Sequence, residues 1–333
     1  MSWKVLITAR TMNEVGQQAL KSLRDAGCEL MIPPKPGPYP ADQLAPLLPG
    51  MDAVLASMDK FTAAVLSSPE ASKLKIVSRW GVGYDAIDVP AATRAGIVIG
   101  YTPGLLNETV ADFAFALLLS LARSVHVGHS AMSSGRWEPA WGVDVHGKTL
   151  GLLGCGRIGL AVARRAAGFS MRLIAYDVKP SPEADNLGVS FVSLDQLLAE
   201  SDFLSLHAAL TPENRGLLGE AQLRKMKRTA RLINTARGAL VDEAALAKAL
   251  AQGWIAGAAL DAFAVEPLAT DHPLRKAPNV LLTPHLASFA RETGEKVSNA
   301  AAQAIIDLVG GQRPKWVVAP EVFECQALRA LMK

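Results

Sequence analysis

Directly behind the apolar stretch Thr149 to Leu153, the residues Gly154-Cys155-Gly156-Arg157-Ile158-Gly159 open a helical pattern. Three glycines at this spacing are weak evidence alone. Between a strand and a helix they have distinct uses: Gly154 permits a tight turn, Gly156 lets backbone approach a pyrophosphate, and Gly159 lets helix and strand pack closely. The N–H groups at the start of that helix, including those of Arg157 and Ile158, would face the phosphates. Asp177 ends the next strand candidate, where an acid hydrogen-bonds the ribose hydroxyls of a bound dinucleotide. A 2′-phosphate about 4 Å from it would be repelled by about 4 kcal/mol at an effective dielectric of 20, so the pattern favours NAD over NADP. Lys179 nearby softens that preference.

The rest of the chain fits the same architecture. Short β-branched or leucine-rich runs alternate with helical patterns from the first residues, as in parallel sheets covered on both faces by helices. One block has strand candidates at 5–7, 29–32, 53–56, 76–78 and 97–99; the second has them at 149–153, 173–176, 203–206, 232–234, 256–260 and 280–283. Helices are expected over 13–26, 105–123, 242–250 and 291–308. The segment 128–147, with weak periodicity, reads as a connector, and the prolines between 33 and 38 exclude helix or central strand there.

Bulk properties exclude several classes. With 333 residues, half of them hydrophobic, the chain is long enough for two domains. A net charge of +3 without a basic tract predicts no nucleic-acid partner. No apolar stretch reaches the length of a membrane span, and the N-terminus lacks a signal-peptide core. Cys28, Cys155 and Cys325 are odd in number and widely spaced, which predicts neither disulfides nor zinc and suits a reducing cytoplasm. His126, His129, His146 and His272 read as structural or exposed, and no metal site is expected.

Three further segments carry chemistry: Asn234-Thr235-Ala236-Arg237-Gly238, Asp261 through Glu266-Pro267, and Thr283-Pro284-His285 through Ser288. A guanidinium fork can hold the carboxylate and adjacent carbonyl of a 2-keto acid. A free imidazole titrates near 6.5, so His285 can exchange a proton near neutrality, and a carboxylate beside such a ring favours its acid form.

In order and spacing these segments, together with Ser78-Arg79-Trp80-Gly81-Val82-Gly83-Tyr84-Asp85, resemble the D-isomer-specific 2-hydroxyacid dehydrogenases. The resemblance spans most of the chain. It implies catalysis by Arg237, Glu266 and His285, with Arg79, Val82 and Gly83 at the substrate. It also implies that Thr235, Ala236, Asp261 and Ser288 line the cofactor, Asp261 towards the nicotinamide carboxamide, and that His207 borders the adenine. Formate dehydrogenases of the same superfamily carry glutamine at the position of Glu266.

The resemblance implies an α/β fold of two doubly wound domains. A Rossmann NAD-binding domain over 103–290 would be inserted into a flavodoxin-like substrate domain built from 1–102 and 291–333. Catalysis would take place in the cleft between them, with closure expelling water, and the stretch 105–147, its apolar helix together with Trp137 and Trp141, would supply the contact of a homodimer. The expected activity is reversible hydride transfer between NAD(H) and a small 2-keto or 2-hydroxy acid: glyoxylate, hydroxypyruvate or a 3-phosphoglycerate-like acid. Members acting on phosphoglycerate carry an arginine where this chain has Ala56, which disfavours that acid. Leu206-His207-Ala208-Ala209-Leu210-Thr211-Pro212 also lacks a proline that the family places before Leu-Thr-Pro. Two alternatives remain: a non-catalytic NAD sensor of corepressor type, and a phosphite dehydrogenase-like enzyme.

Overall fold

The computed structural model describes residues 2–332, which divide into two compact units. One takes both chain ends, Met1–Leu106 with Phe289–Lys333; the other is continuous, Asn107–Ser288.

The first unit is built on strands β1 (Lys4–Ile7), β2 (Glu29–Met31), β3 (Ala53–Ala56), β4 (Ile76–Arg79) and β5 (Val98–Gly100). All are parallel, in the order β2-β1-β3-β4-β5, the doubly wound arrangement of flavodoxin. The central strands β3 and β4 are buried along their whole length, as strands covered on both faces must be. The helix Gln17–Asp25 buries Ala19, Leu20 and Leu23 against Val297, Ala301 and Ile305 of the helix Arg291–Val309, so the two chain ends share one core.

The second unit carries β6 (Thr149–Leu153), β7 (Arg172–Tyr176), β8 (Ser190–Phe191), β9 (Phe203–Leu206), β10 (Arg231–Asn234), β11 (Gly257–Leu260) and β12 (Val280–Leu282). They form one parallel sheet, in the order β12-β11-β10-β9-β6-β7-β8. The chain direction across the sheet reverses between β6 and β9, and that is where such sheets bind ligands, beyond the carboxyl ends of the strands.

Three local expectations change. The helix expected over 13–26 is two, Met12–Val15 and Gln17–Asp25, broken at Gly16. A Cβ at Gly16 would lie 2.6 Å from Met12 Cα, so the close turn there needs glycine. A helix, Val125–Ser133, runs into the expected connector; it buries only Ala131 and so lacks the apolar stripe by which sequence reveals helices. Strand β8, two residues long, is too short to show a period. No single helix among the described residues is long and apolar enough to cross a membrane; Asn107–Ala122 and Val125–Ser133 reach that length only together, across a 69° bend.

Candidate active site

Strand β6 delivers the glycine turn to the switch point. Gly154 has φ +91, and a Cβ there would lie 2.5 Å from the Ala208 nitrogen behind β9. At Gly159 a Cβ would strike the Gly154 carbonyl, so the helix Arg157–Ala167 sits against the turn only because glycine is there. At Gly156 a Cβ would meet nothing within 4 Å: this side of the turn is open. Gly156 caps the helix without a side-chain bond, leaving the first-turn N–H groups of Arg157 and Ile158 to an incoming anion.

Asp177 follows β7 and accepts from Cys155 N at 2.7 Å and from Lys179 N at 2.9 Å, so its carboxylate is held beside the glycine turn. Two polar atoms at the neighbouring strand ends, His207 Nδ1 after β9 and Thr235 Oγ1 after β10, are buried without a partner among the described residues. Such orphans are costly unless something satisfies them. An open glycine turn, an uncapped helix start, an anchored acid and two orphaned groups at one sheet edge fit a dinucleotide. His207 Nε2 meets Ser205 Oγ at 2.8 Å, and burial pushes the ring's pKa down to about 3.

Near the first unit's own switch point, between β1 and β3, the buried Asp59, 1% exposed, accepts from Thr8 Oγ1 at 2.7 Å, Tyr39 N at 2.8 Å and Ser57 N at 2.9 Å.

Further along the same carboxyl edge, towards β12, three loops converge. Behind β10, the buried Asn234 bonds through Nδ2 to the Arg237 carbonyl (2.9 Å) and through Oδ1 to Ala236 N–H (3.0 Å), fixing the turn that presents Arg237. Behind β11, Glu266 closes its own turn by accepting from Phe263 N at 2.9 Å. Behind β12 comes His285, whose Nδ1 lies 2.9 and 2.8 Å from the two Glu266 carboxylate oxygens. Burial of Glu266 opposes its ionisation, but the bond and charge of His285, the Phe263 N–H and the charge of Arg237 prevail and hold its carboxyl below the usual range. An ionised carboxylate only accepts, so Nδ1 carries the proton of this bond and Nε2 is the nitrogen left for chemistry.

Asp261, 1% exposed, has a place that sequence reading did not foresee. Its Oδ1 accepts from Thr283 Oγ1 at 2.6 Å and Leu286 N at 2.9 Å, and its Oδ2 from Ala287 N at 2.8 Å. It therefore grips both sides of His285. Burial raises its pKa, against the pull of those bonds and of the His285 charge. Ser288, half-buried, ends this turn.

Arg79 lies in the first unit, only 8% exposed. Its Nε donates to the Gly83 carbonyl at 2.9 Å and its Nη2 lies 2.9 Å from Met58 Sδ, so the guanidinium supports the turn from beneath. Gly81, at φ +125, rests on it. The backbone N–H groups of Val82 and Gly83 have no acceptor among the described residues. Within the second unit the structure thus joins Glu266 to His285, with the charge of Arg237 acting on Glu266 and Asp261 bonded around His285; Arg79, Val82 and Gly83 belong to the first unit. Among the described residues no cluster of three or more His, Cys, Asp or Glu could hold a metal ion.

Comparison with known proteins bears on this arrangement. Residues 115–287 match the profile described as "D-isomer specific 2-hydroxyacid dehydrogenase, NAD binding domain". A glyoxylate reductase of Korarchaeum cryptofilum is 51% identical over 261 residues, covering 76% of this chain and 79% of its own length. One from Thermofilum pendens is 39% identical over 335 residues, covering 98% and 97%. The solved TT0316 protein of Thermus thermophilus is similar with a TM-score of 0.85 at 40% identity, covering 95% of this chain and 99% of that one.

Proposed function

Because the chain belongs to the D-isomer-specific 2-hydroxyacid dehydrogenase family and is an NAD-dependent oxidoreductase, we propose that it reduces glyoxylate or a similarly short 2-keto acid through Arg237, Glu266 and His285. The observation that carries this reading is the bond of His285 to a carboxylate that also feels the charge of Arg237.

In this reading bound NADH supplies the hydride in reduction, and NAD takes it up in oxidation. Arg237 holds the substrate carboxylate and carbonyl in its planar fork, fixing the reacting carbon. His285 delivers the proton from Nε2 to the oxygen that becomes the hydroxyl, and removes it in the reverse direction. Glu266 orients the ring through its bond to Nδ1. The free N–H groups of Val82 and Gly83 suit the substrate carboxylate, with Arg79 shaping their turn rather than touching the acid. Gly154, Gly156, Arg157, Ile158, Gly159, Asp177, His207, Thr235, Ala236, Asp261 and Ser288 are the proposed surroundings of the cofactor.

We also propose a homodimer. Val125, Met132, Trp137 and Trp141 are 58%, 57%, 86% and 99% exposed, and apolar surface gathered in one segment suits burial against a second copy. Sedimentation of a Trp137→Arg, Trp141→Arg double variant as dimer, like the parent, would count against that segment. A cytoplasmic location agrees with three free cysteines, two of them buried, and would be tested by fractionation.

The central test is a panel of 2-keto acids, with phosphite in the reverse direction, followed at 340 nm with each cofactor. Glyoxylate or a short relative should turn over with NADH, and His285→Ala should lose at least about a thousandfold in kcat, with NADH affinity nearly intact. Cofactor binding without turnover of any acid would favour the sensor, and near-normal turnover by His285→Ala would remove it as proton carrier.

A further inference from the structure

A second carboxylate and imidazole stand behind the first pair. Glu243 opens the helix Glu243–Ala251, whose N-cap is already made by Asp242 accepting from Ala245 N at 3.0 Å. The Glu243 side chain is therefore not needed as a cap, and it leaves the helix. Its Oε1 accepts from Ala264 N at 2.7 Å, and its Oε2 lies 3.3 Å from His272 Nε2, with both side chains largely buried. His272 Nδ1 accepts from Leu274 N at 3.3 Å, so the ring proton sits on Nε2 and points at the carboxylate even when the imidazole is neutral.

We propose that Glu243 is a positioning residue for Glu266, a reading that rests on the catalytic role assigned to Glu266 above. The turn behind β11 is exposed at Ala264 and Val265, and burial does little to hold it there. Two consecutive N–H groups fix it instead: Phe263 N on the Glu266 carboxylate and Ala264 N on that of Glu243. Gly238, next to Arg237, presses on the same point, since a Cβ there would overlap the Phe263 and Ala264 backbone. Glu243 thus ties the turn of Glu266 to the helix that follows the turn of Arg237. His272 keeps that carboxylate aimed.

The test is a double-mutant cycle on the full chain, reading kcat for 2-keto acid reduction and NADH affinity by fluorescence. Glu243→Ala should lower kcat about tenfold with NADH affinity unchanged, and Glu243→Gln, which keeps an acceptor for Ala264 N–H, should recover most of the loss. In a Glu266→Gln background Glu243→Ala should cost less than about twofold, because little remains to be positioned. Should Glu243→Ala not fold, Glu243→Asp, too short to reach Ala264 N–H and His272 together, serves in the same cycle with a several-fold loss expected. Equal losses in both backgrounds, or no loss in either, would overturn the proposal alone. Wild-type turnover by Glu266→Gln would overturn the catalytic reading and this inference with it.

Discussion

Asp261 accepts a hydrogen bond from Leu286 N at 2.9 Å, immediately after His285, whose own backbone sits at φ +51. A left-handed conformation costs a non-glycine residue about 1–2 kcal/mol, so something must hold it. The buried carboxylate does so from both sides, through Thr283 on one and Leu286 and Ala287 on the other.

Asp261→Asn puts an amide, half of it donor, among three donors. At least one buried group then loses its partner, at about 1–3 kcal/mol. We expect a lower denaturation midpoint and a kcat reduced more than NADH affinity. An unchanged midpoint together with parental kcat would show that the turn holds itself.

His207 makes the folded apoprotein sensitive to acid. Its folded pKa of about 3 lies below the unfolded value near 6.5, so its stability contribution is complete above pH 6.5 and is lost as pH falls towards 3, while only the unfolded chain takes up the proton. Between pH 7 and 5 that amounts to about 2 kcal/mol. Urea titrations of His207→Gln should lack this part of the pH slope; a slope equal to that of the parent would place the acid sensitivity elsewhere.

Asp177 braces the glycine turn through Cys155 N, and in the proposed cofactor site its charge would also repel a 2′-phosphate. Asp177→Asn removes the charge and weakens the brace. KM for NADH should rise several-fold while the NADPH to NADH ratio of kcat/KM rises about tenfold or more. Parallel changes for both cofactors would assign Asp177 to structure only.

Most of the strands were legible because a strand covered on both faces is an unbroken apolar run. Ala53–Ala56, Thr149–Leu153 and Phe203–Leu206 fall where that rule puts them. The Gly154 turn and the helix expected over 242–250, capped by Asp242, were legible for a related reason: their demands are met within a few residues of chain. The helix Val125–Ser133 was not, because it buries almost nothing. The contacts of the Arg79 guanidinium with the Gly83 carbonyl and Met58 were not legible either, since Met58 lies on a neighbouring strand's loop.

The sequence by itself determined the kinds of chemistry present, the alternation that builds parallel sheets and the glycine turn at a strand end, since each depends on residues close together along the chain. The resemblance already paired Glu266 with His285; only the tertiary structure decided that Nδ1 is the atom that meets the carboxylate, that Asp261 grips the turn of His285, and that Glu243 reaches Ala264. Those partners come from neighbouring strands that end side by side, and which groups meet there follows from sheet order and packing, which no local period encodes.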